Sequence, residues 1–253
     1  MKKVIAISNQ KGGVGKTTTA ISLSGCFSKL GYSVLLVDMD PQGNASRGMG
    51  LDPTAIRKTI LDVLIESADI NKVIKKTQTK GVDVLPSNLK LATLDALSNE
   101  IEEPFNLLKR HLKEVTKEYD YVIIDCPPSL GLLNLNALCA ADSVIIPVQC
   151  EYYAMEAVAQ ILSSISRIQK EYNPNLEILG FLLTMYDSRI KLATEVTTEI
   201  RGLFREKTFV TQIPRNISLA EAAFYGQPIN IFRPKATGSL AYLSLAREII
   251  SNE

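Results

Sequence analysis

The chain has 253 residues, of which 46 % are hydrophobic and 22 % charged, and its formal net charge is +1. That length suits one large α/β domain spanning residues 1–253, and the composition excludes a disordered chain. A near-neutral balance gives no global attraction to nucleic acid, so any contact with DNA has to come from a local patch. No apolar run approaches the roughly 18 residues of a membrane span. The apolar run behind Met1-Lys2-Lys3 stops at Ser8, which argues against a signal peptide. Cys26, Cys126, Cys139 and Cys150 lack CxxC spacing and lie in apolar stretches, as reduced, buried thiols do. His111, the only histidine, lies in a polar helical stretch and is expected in solvent, which makes histidine-based catalysis an unpromising reading.

Lys3–Ser8 is almost wholly apolar and predicts a strand buried on both faces. The stretch from Ser8 to Thr19 follows it, and an amphipathic run starts near Ala20. Strand, glycine-rich loop and helix form the setting of a phosphate-binding loop. Gly12, Gly13 and Gly15 allow backbone N–H groups of residues 11–18, among them Val14 and Thr18, to close around phosphate oxygens. Lys16 can reach the β- and γ-phosphates, and the Thr17 hydroxyl can ligate Mg²⁺. The bland alternative is a glycine-rich turn. The common pattern G-x-x-x-x-G-K-[ST] needs glycine at position 10, where Gln10 stands, and Lys11 opens the glycine run instead.

Thr17 to Leu30 reads as a helix with Gly31 as its C′ residue, and Ser33–Asp38 as a second buried strand. Such a βαβ unit crosses over right-handed. Asp38-Met39-Asp40-Pro41-Gln42-Gly43 then places acidic residues at the carboxyl end of a parallel strand, where ligands bind. Asp40 suits orienting a water there; a turn with capping aspartates is the alternative. Farther on, Thr59–Glu66, Asn71–Lys76 and Pro104–Glu118 read as amphipathic helices, and Val82–Leu85 as a short strand. Tyr121 to Asp125 is an apolar strand ending in a carboxylate, a Walker B arrangement in which Asp125 would hold Mg²⁺ through water. Strands at Asp142–Val148, Leu176–Met185 and Phe209–Ile213 alternate with helices to Tyr172 and over Leu192–Glu206. A last helix, Gly238–Ser251, has Leu240, Leu243, Ala246 and Ile250 on one face. The fold class is α/β: a doubly wound, mostly parallel sheet of seven or eight strands, with helices on both faces, of the P-loop NTPase kind.

Lys11-Gly12-Gly13-Val14-Gly15-Lys16-Thr17-Thr18, taken with Asp38-Met39-Asp40-Pro41-Gln42 and Asp125-Cys126-Pro127-Pro128-Ser129-Leu130-Gly131, resembles the deviant Walker A ATPases of the ParA/MinD group, and specifically the ParA branch, over essentially the whole chain. The resemblance implies a chromosome- or plasmid-partitioning ATPase with ATP and Mg²⁺ as cofactors. It implies an ATP-dependent homodimer in which Lys11 crosses to the partner's nucleotide, with catalytic roles for Lys11, Lys16 and Asp40. Pro214 and Asn216 would lie beside the adenine. The start of the helix after Tyr152-Tyr153 would lie at the dimer interface, unless the aromatic pair is mere packing. Relatives bind double-stranded DNA without sequence preference, which points to Arg189 and Arg215, with Lys191, Arg233 and Lys235 as weaker additions; a plain solvated arginine is the alternative at each. A ParB-type centromere-binding partner would stimulate hydrolysis, and the protein would work in the cytoplasm on the nucleoid. The first core strand starts at Lys3, so no helix-turn-helix segment, and hence no operator-specific repression, is expected. Glu221-Ala222-Ala223-Phe224-Tyr225-Gly226 departs from the family, which has Pro and Ser where Ala223 and Phe224 stand, and predicts a local packing difference. The chain stops at Ser251-Asn252-Glu253 without a basic tail, which argues against the alternative of a MinD-like, membrane-cycling ATPase. A further alternative is an enzyme coupling ATP to a second reaction, like dethiobiotin synthetase or the nitrogenase iron protein.

Overall fold

Short apolar runs bounded by Gly, Pro or Asp become strands, and the longer amphipathic runs between them become helices. The computed structural model describes residues 3–66, 68–97, 101–129, 131–151 and 154–252. Leu130 and the Tyr152-Tyr153 pair fall outside the described residues. In chain order the elements are β1 (Lys3–Ile7), α1 (Lys16–Lys29), β2 (Val34–Asp38), α2 (Asn44–Gly48), α3 (Ile60–Glu66), α4 (Ile70–Val73), β3 (Lys75–Lys76), β4 (Val82–Leu85), α5 (Leu94–Leu97) and α6 (Leu107–Leu112). There follow β5 (Tyr121–Asp125), α7 (Leu132–Ala140), β6 (Ser143–Gln149), α8 (Ala154–Glu171), β7 (Glu177–Thr184), α9 (Lys191–Phe204), α10 (Ile217–Phe224), α11 (Ile229–Phe232) and α12 (Thr237–Ser251).

The seven strands form one sheet in the order β3-β4-β2-β5-β1-β6-β7. All neighbours are parallel except β3, which pairs antiparallel with β4 at the edge. Successive side chains on a strand point to opposite faces, so both faces are apolar and both are covered. Ala6, Leu35, Val37, Val122 and Ile124 pack under α3, α6, α7 and α8, whereas Ile5, Ile7, Leu36, Tyr121 and Ile123 pack under α1 and α12. From β1 the chain crosses to β2 on one side, and from β5 it crosses back past β1 to β6 on the other, which opens a crevice at the carboxyl ends of β1 and β5. Gly31 ends α1 with φ +98°: its N–H donates to Ser28 O at 3.0 Å and that of Tyr32 to Phe27 O at 3.1 Å, the paired bonds of a Schellman turn.

Five expectations change. The helix over Pro104–Glu118 shrinks to Leu107–Leu112, because the Asn71 side chain takes over beyond it, accepting from Thr116 N at 2.8 Å and donating to Glu114 O at 3.0 Å. His111 is buried, not solvated: it shares an apolar stripe with Leu107, Leu108 and Leu112, and its Nδ1 lies 3.2 Å from Glu114. Phe209–Ile213 is not a strand. It touches β7 through Phe209 N to Phe181 O and Ile213 N to Leu183 O, but between those contacts Val210 N and Thr211 N donate to the Glu248 carboxylate at 2.6 and 2.9 Å. In α12 the buried stripe is Tyr242, Leu245, Ala246 and Ile249, one position from the face expected, and Leu240 is 53 % exposed. In addition, α4 stops at Val73, and Lys75–Lys76 turn out to be the edge strand.

Candidate functional site

Strand register builds the site. Ile7 and Asp38 both pair with Asp125, so β1, β2 and β5 end at one level and the two carboxyl groups meet there. The loop after β1 is tied down at its base. Asn9, fully buried, accepts from Lys11 N at 3.0 Å and donates to Pro147 O at 2.7 Å. Gly13 and Gly15 take φ +77° and +89°, conformations that side chains rarely adopt, and turn the chain into α1. Gly12 and Gly13 are open to solvent, while Val14 is buried and its carbonyl accepts from the Thr184 hydroxyl at 2.9 Å, pinning the loop to the end of β7.

No side chain caps α1, and its first turn carries no acidic residue. The N–H groups of Lys16, Thr17 and Thr18 therefore lack a helical acceptor, and the positive end of the helix points into the crevice. Lys16 is 7 % exposed and lies back over the loop, donating to Lys11 O at 3.0 Å. Burial pulls its pKa down from the ordinary lysine value, and the nearby charges of Asp125 and Asp40 oppose that fall. An anion at the helix end would supply the counter-charge that Lys16 lacks.

Asp125 is fully buried, and among the described residues no group donates a hydrogen bond to either carboxylate oxygen. Burial first, and then the charges of Asp38 and Asp40, raise its pKa well above the usual carboxylate range; Thr17 and Lys16 act in the opposite direction. The Thr17 hydroxyl thus lies near enough to lower the carboxyl's proton affinity without donating in good geometry. Asp38 is also buried, and its pKa is pushed up to about 6, chiefly by burial. It is better satisfied than Asp125, accepting from Ser46 N and Oγ, each at 2.7 Å, and from Asp40 N at 3.2 Å. Asp38 therefore anchors α2, the helix that follows the Asp-Met-Asp-Pro-Gln stretch. Asp40 is half-buried, accepts from Gln42 N at 2.9 Å and faces the same crevice as Lys16 and Asp125.

A cleft of about 160 Å³ opens beside Gly15 and Thr18, floored by Tyr242 and walled by Pro214 and Asn216. The structure thus brings Pro214 and Asn216 next to the phosphate loop. Asn216 is already engaged: its Oδ1 accepts from Ser218 N at 2.8 Å as the cap of α10, and its Nδ2 donates to Thr237 at 2.6 Å. Arg189 and Arg215 come together around a hollow of about 470 Å³. Arg189 grips Asp187 with Nε at 2.9 Å and Nη2 at 2.7 Å, holding that carboxyl down to about 2, while Arg215 is exposed. Lys191 pairs with Glu195 and Arg233 with Glu221, so neither is a free cation. Phe224 does not pack inward where the sequence departs from the family; it is 83 % exposed, edge-on to Tyr225.

A family model described as an AAA domain matches residues 2–178. The sporulation initiation inhibitor protein Soj of Bacillus subtilis is 47 % identical over 100 % of both chains. The chromosome partitioning protein ParA of Myxococcus xanthus is 44 % identical over 99 % of this chain and 89 % of its own. The chain belongs to the ParA/Soj family of partitioning ATPases. Among solved structures, a Mycobacterium smegmatis protein named cobyrinic acid a,c-diamide synthase, with bound ATP analogue and magnesium, superposes with a TM-score of 0.90 at 36 % identity, covering 100 % of this chain and 95 % of that one.

In this member of the ParA/Soj family, several residues that line the crevice or hold its loop escape a reading of the sequence. Glu151, two residues after β6, forms an ion pair with Lys11. Thr184 and Ser46 reach the site from β7 and α2. No local pattern marks any of them. Asp38 alone had a signal, as the terminal residue of a strand parallel to the one that Asp125 ends.

Proposed function

We propose that this protein is a nucleotide-driven switch: it binds Mg-ATP, pairs with a second copy, holds DNA without sequence preference in the paired state, and is reset by slow ATP hydrolysis. The observation that carries the reading is Asp125. A fully buried carboxylate with two unpartnered oxygens is costly unless a cation completes it. It stands at the level of an uncapped helix N-terminus beside Thr17, which fits a magnesium ion. Among the described residues no group of three acidic, His or Cys side chains could cage a metal unaided. That too suits Mg²⁺, which keeps waters and takes one or two protein ligands plus phosphate oxygens.

Thr17 and Asp125 hold the metal, which when bound offsets phosphate charge. The N–H groups of residues 12–18 cradle the phosphates, and Lys16 leaves Lys11 O to bind them. Asp40 orients the attacking water. Lys11 approaches the phosphates of the other subunit's nucleotide and stabilises charge that builds in the transition state, as an arginine finger does. Pro214 and Asn216 border the base. Arg189 and Arg215 contact DNA phosphates, and a ParB-type partner stimulates hydrolysis, driving origin segregation on the nucleoid in the cytoplasm. No helix among the described residues is long and apolar enough to cross a membrane.

DNA binding measured with Mg-ATP, Mg-ADP and no nucleotide, at two salt concentrations, tests this reading. Four arginine contacts per dimer give a slope of about −3.6 in log K against log salt, so binding should weaken about a hundredfold between 50 and 200 mM. Binding that is independent of nucleotide refutes the switch. Phosphate release without any second substrate separates it from the amide-forming activity that the M. smegmatis protein's name denotes.

A further inference from the structure

Gln10 and Lys11, the two positions that break the common loop pattern, both turn away from the crevice toward α8. Gln10 donates to Ser164 Oγ on α8 at 2.9 Å. Lys11 forms its ion pair with Glu151, the residue that opens the turn into α8, where Ala154 N donates to Glu151 O at 2.9 Å. The pair is sheltered: the lysine and glutamate side chains are 27 % and 38 % exposed. The Lys11 carbonyl, meanwhile, receives the Lys16 ammonium. In the unpaired chain, then, the ammonium that would have to reach another subunit already has a partner on its own.

We propose that Glu151 is a positioning residue that acts through Lys11, parking its ammonium on the subunit's own α8 edge until two nucleotide-loaded subunits meet. The inference rests on the trans role of Lys11 proposed above. Glu151 holds the Lys11 ammonium toward the subunit's own α8, and in this proposal the ammonium gives up that contact when it crosses to a partner's phosphates. Breaking the pair is therefore part of the cost of dimerisation. A partly exposed pair of this kind contributes about 0.2–1 kcal/mol, and each dimer breaks two of them, so their release should shift the pairing equilibrium by about two- to thirtyfold. Gln10–Ser164 keeps the loop's entry against α8 and so keeps Lys11 within reach of Glu151.

The test is sedimentation of the full chain with Mg²⁺ and a non-hydrolysable ATP analogue, titrated over protein concentration. Glu151→Gln keeps the shape and removes the charge; with two pairs per dimer it should lower the dimerisation midpoint by about two- to thirtyfold and leave monomer affinity for ADP unchanged. Glu151→Asp, which keeps the carboxylate, should return the midpoint toward the parent's. A midpoint that is unchanged or raised in Glu151→Gln overturns the parking role. Lys11→Ala serves as the control that separates the two claims: if it still forms analogue-dependent dimers, the trans lysine itself is wrong, whatever Glu151 does.

Discussion

Replacing Asp125 with Asn should make the nucleotide-free protein more stable while ending its response to magnesium. Both carboxylate oxygens are buried without a hydrogen bond, and leaving a buried polar group unsatisfied costs about 1–3 kcal/mol, more when it is charged. The carboxamide fills the same volume and is no better partnered but carries no charge, so the excess cost of a buried charge over a neutral group, about 2 kcal/mol, should be recovered at pH 8. For a chain of this size that is about 4–8 °C in melting temperature. The pH dependence has a definite sign. Burial raises the pKa of Asp125 above the ordinary value of 3.8, so the parent carries no handicap at low pH, where the group is protonated both folded and unfolded. The handicap opens as pH rises and the unfolded chain ionises before the folded one. Differential scanning calorimetry in EDTA at pH 4.5, 6 and 8, repeated with Mg-ADP, provides the assay. A variant less stable than the parent at pH 8, or a gap that does not narrow at low pH, would refute the idea that Asp125 is an uncompensated charge awaiting a cation.

Other substitutions separate the proposed roles. Lys16→Ala should abolish ATP binding in a fluorescent-nucleotide titration; retained binding removes Lys16 from the phosphate cradle. Asp40→Ala should bind ATP and trap the dimer, with phosphate release falling at least about a hundredfold, the range in which general acid–base groups contribute; unchanged turnover excludes Asp40 from the water step. Arg189→Glu combined with Arg215→Glu should lose DNA in a low-salt gel shift while ATP-dependent dimers survive in sedimentation. Thr184→Val strands the buried Val14 carbonyl and should cost about 1–3 kcal/mol in urea unfolding, with nucleotide affinity falling alongside; a variant neutral in both assays means the pin from β7 does not shape the loop.

The elements that make the crevice were legible because their signals are local. An apolar run ending in Asp125, another ending in Asp38, and glycines between strand and helix each announce themselves within about a dozen residues. What stayed hidden depends on distant partners. Thr184 closes on Val14 across 170 residues, and Glu151 on Lys11 across 140. Phe209–Ile213 has a strand's composition, yet its central amides are claimed by Glu248, 38 residues later than Val210. His111 misled because Lys109, Arg110, Lys113 and Glu114 surround it in sequence, whereas its spacing to Leu107, Leu108 and Leu112 puts it on their face. Asn216 shows a different limit. It lines the cleft beside Gly15 and Thr18, but its amide is already spent on Ser218 and Thr237, and no sequence pattern tells a wall residue from a contact.

The central claim is that the active site is complete only when two subunits meet through Lys11. It is tested most directly by sedimentation velocity with Mg-ATP in the slow-hydrolysing Asp40→Ala background, with and without Lys11→Ala. Asp40→Ala alone should sediment as a dimer, and the double variant as a monomer that still binds ATP. A double variant that sediments as a dimer contradicts the account.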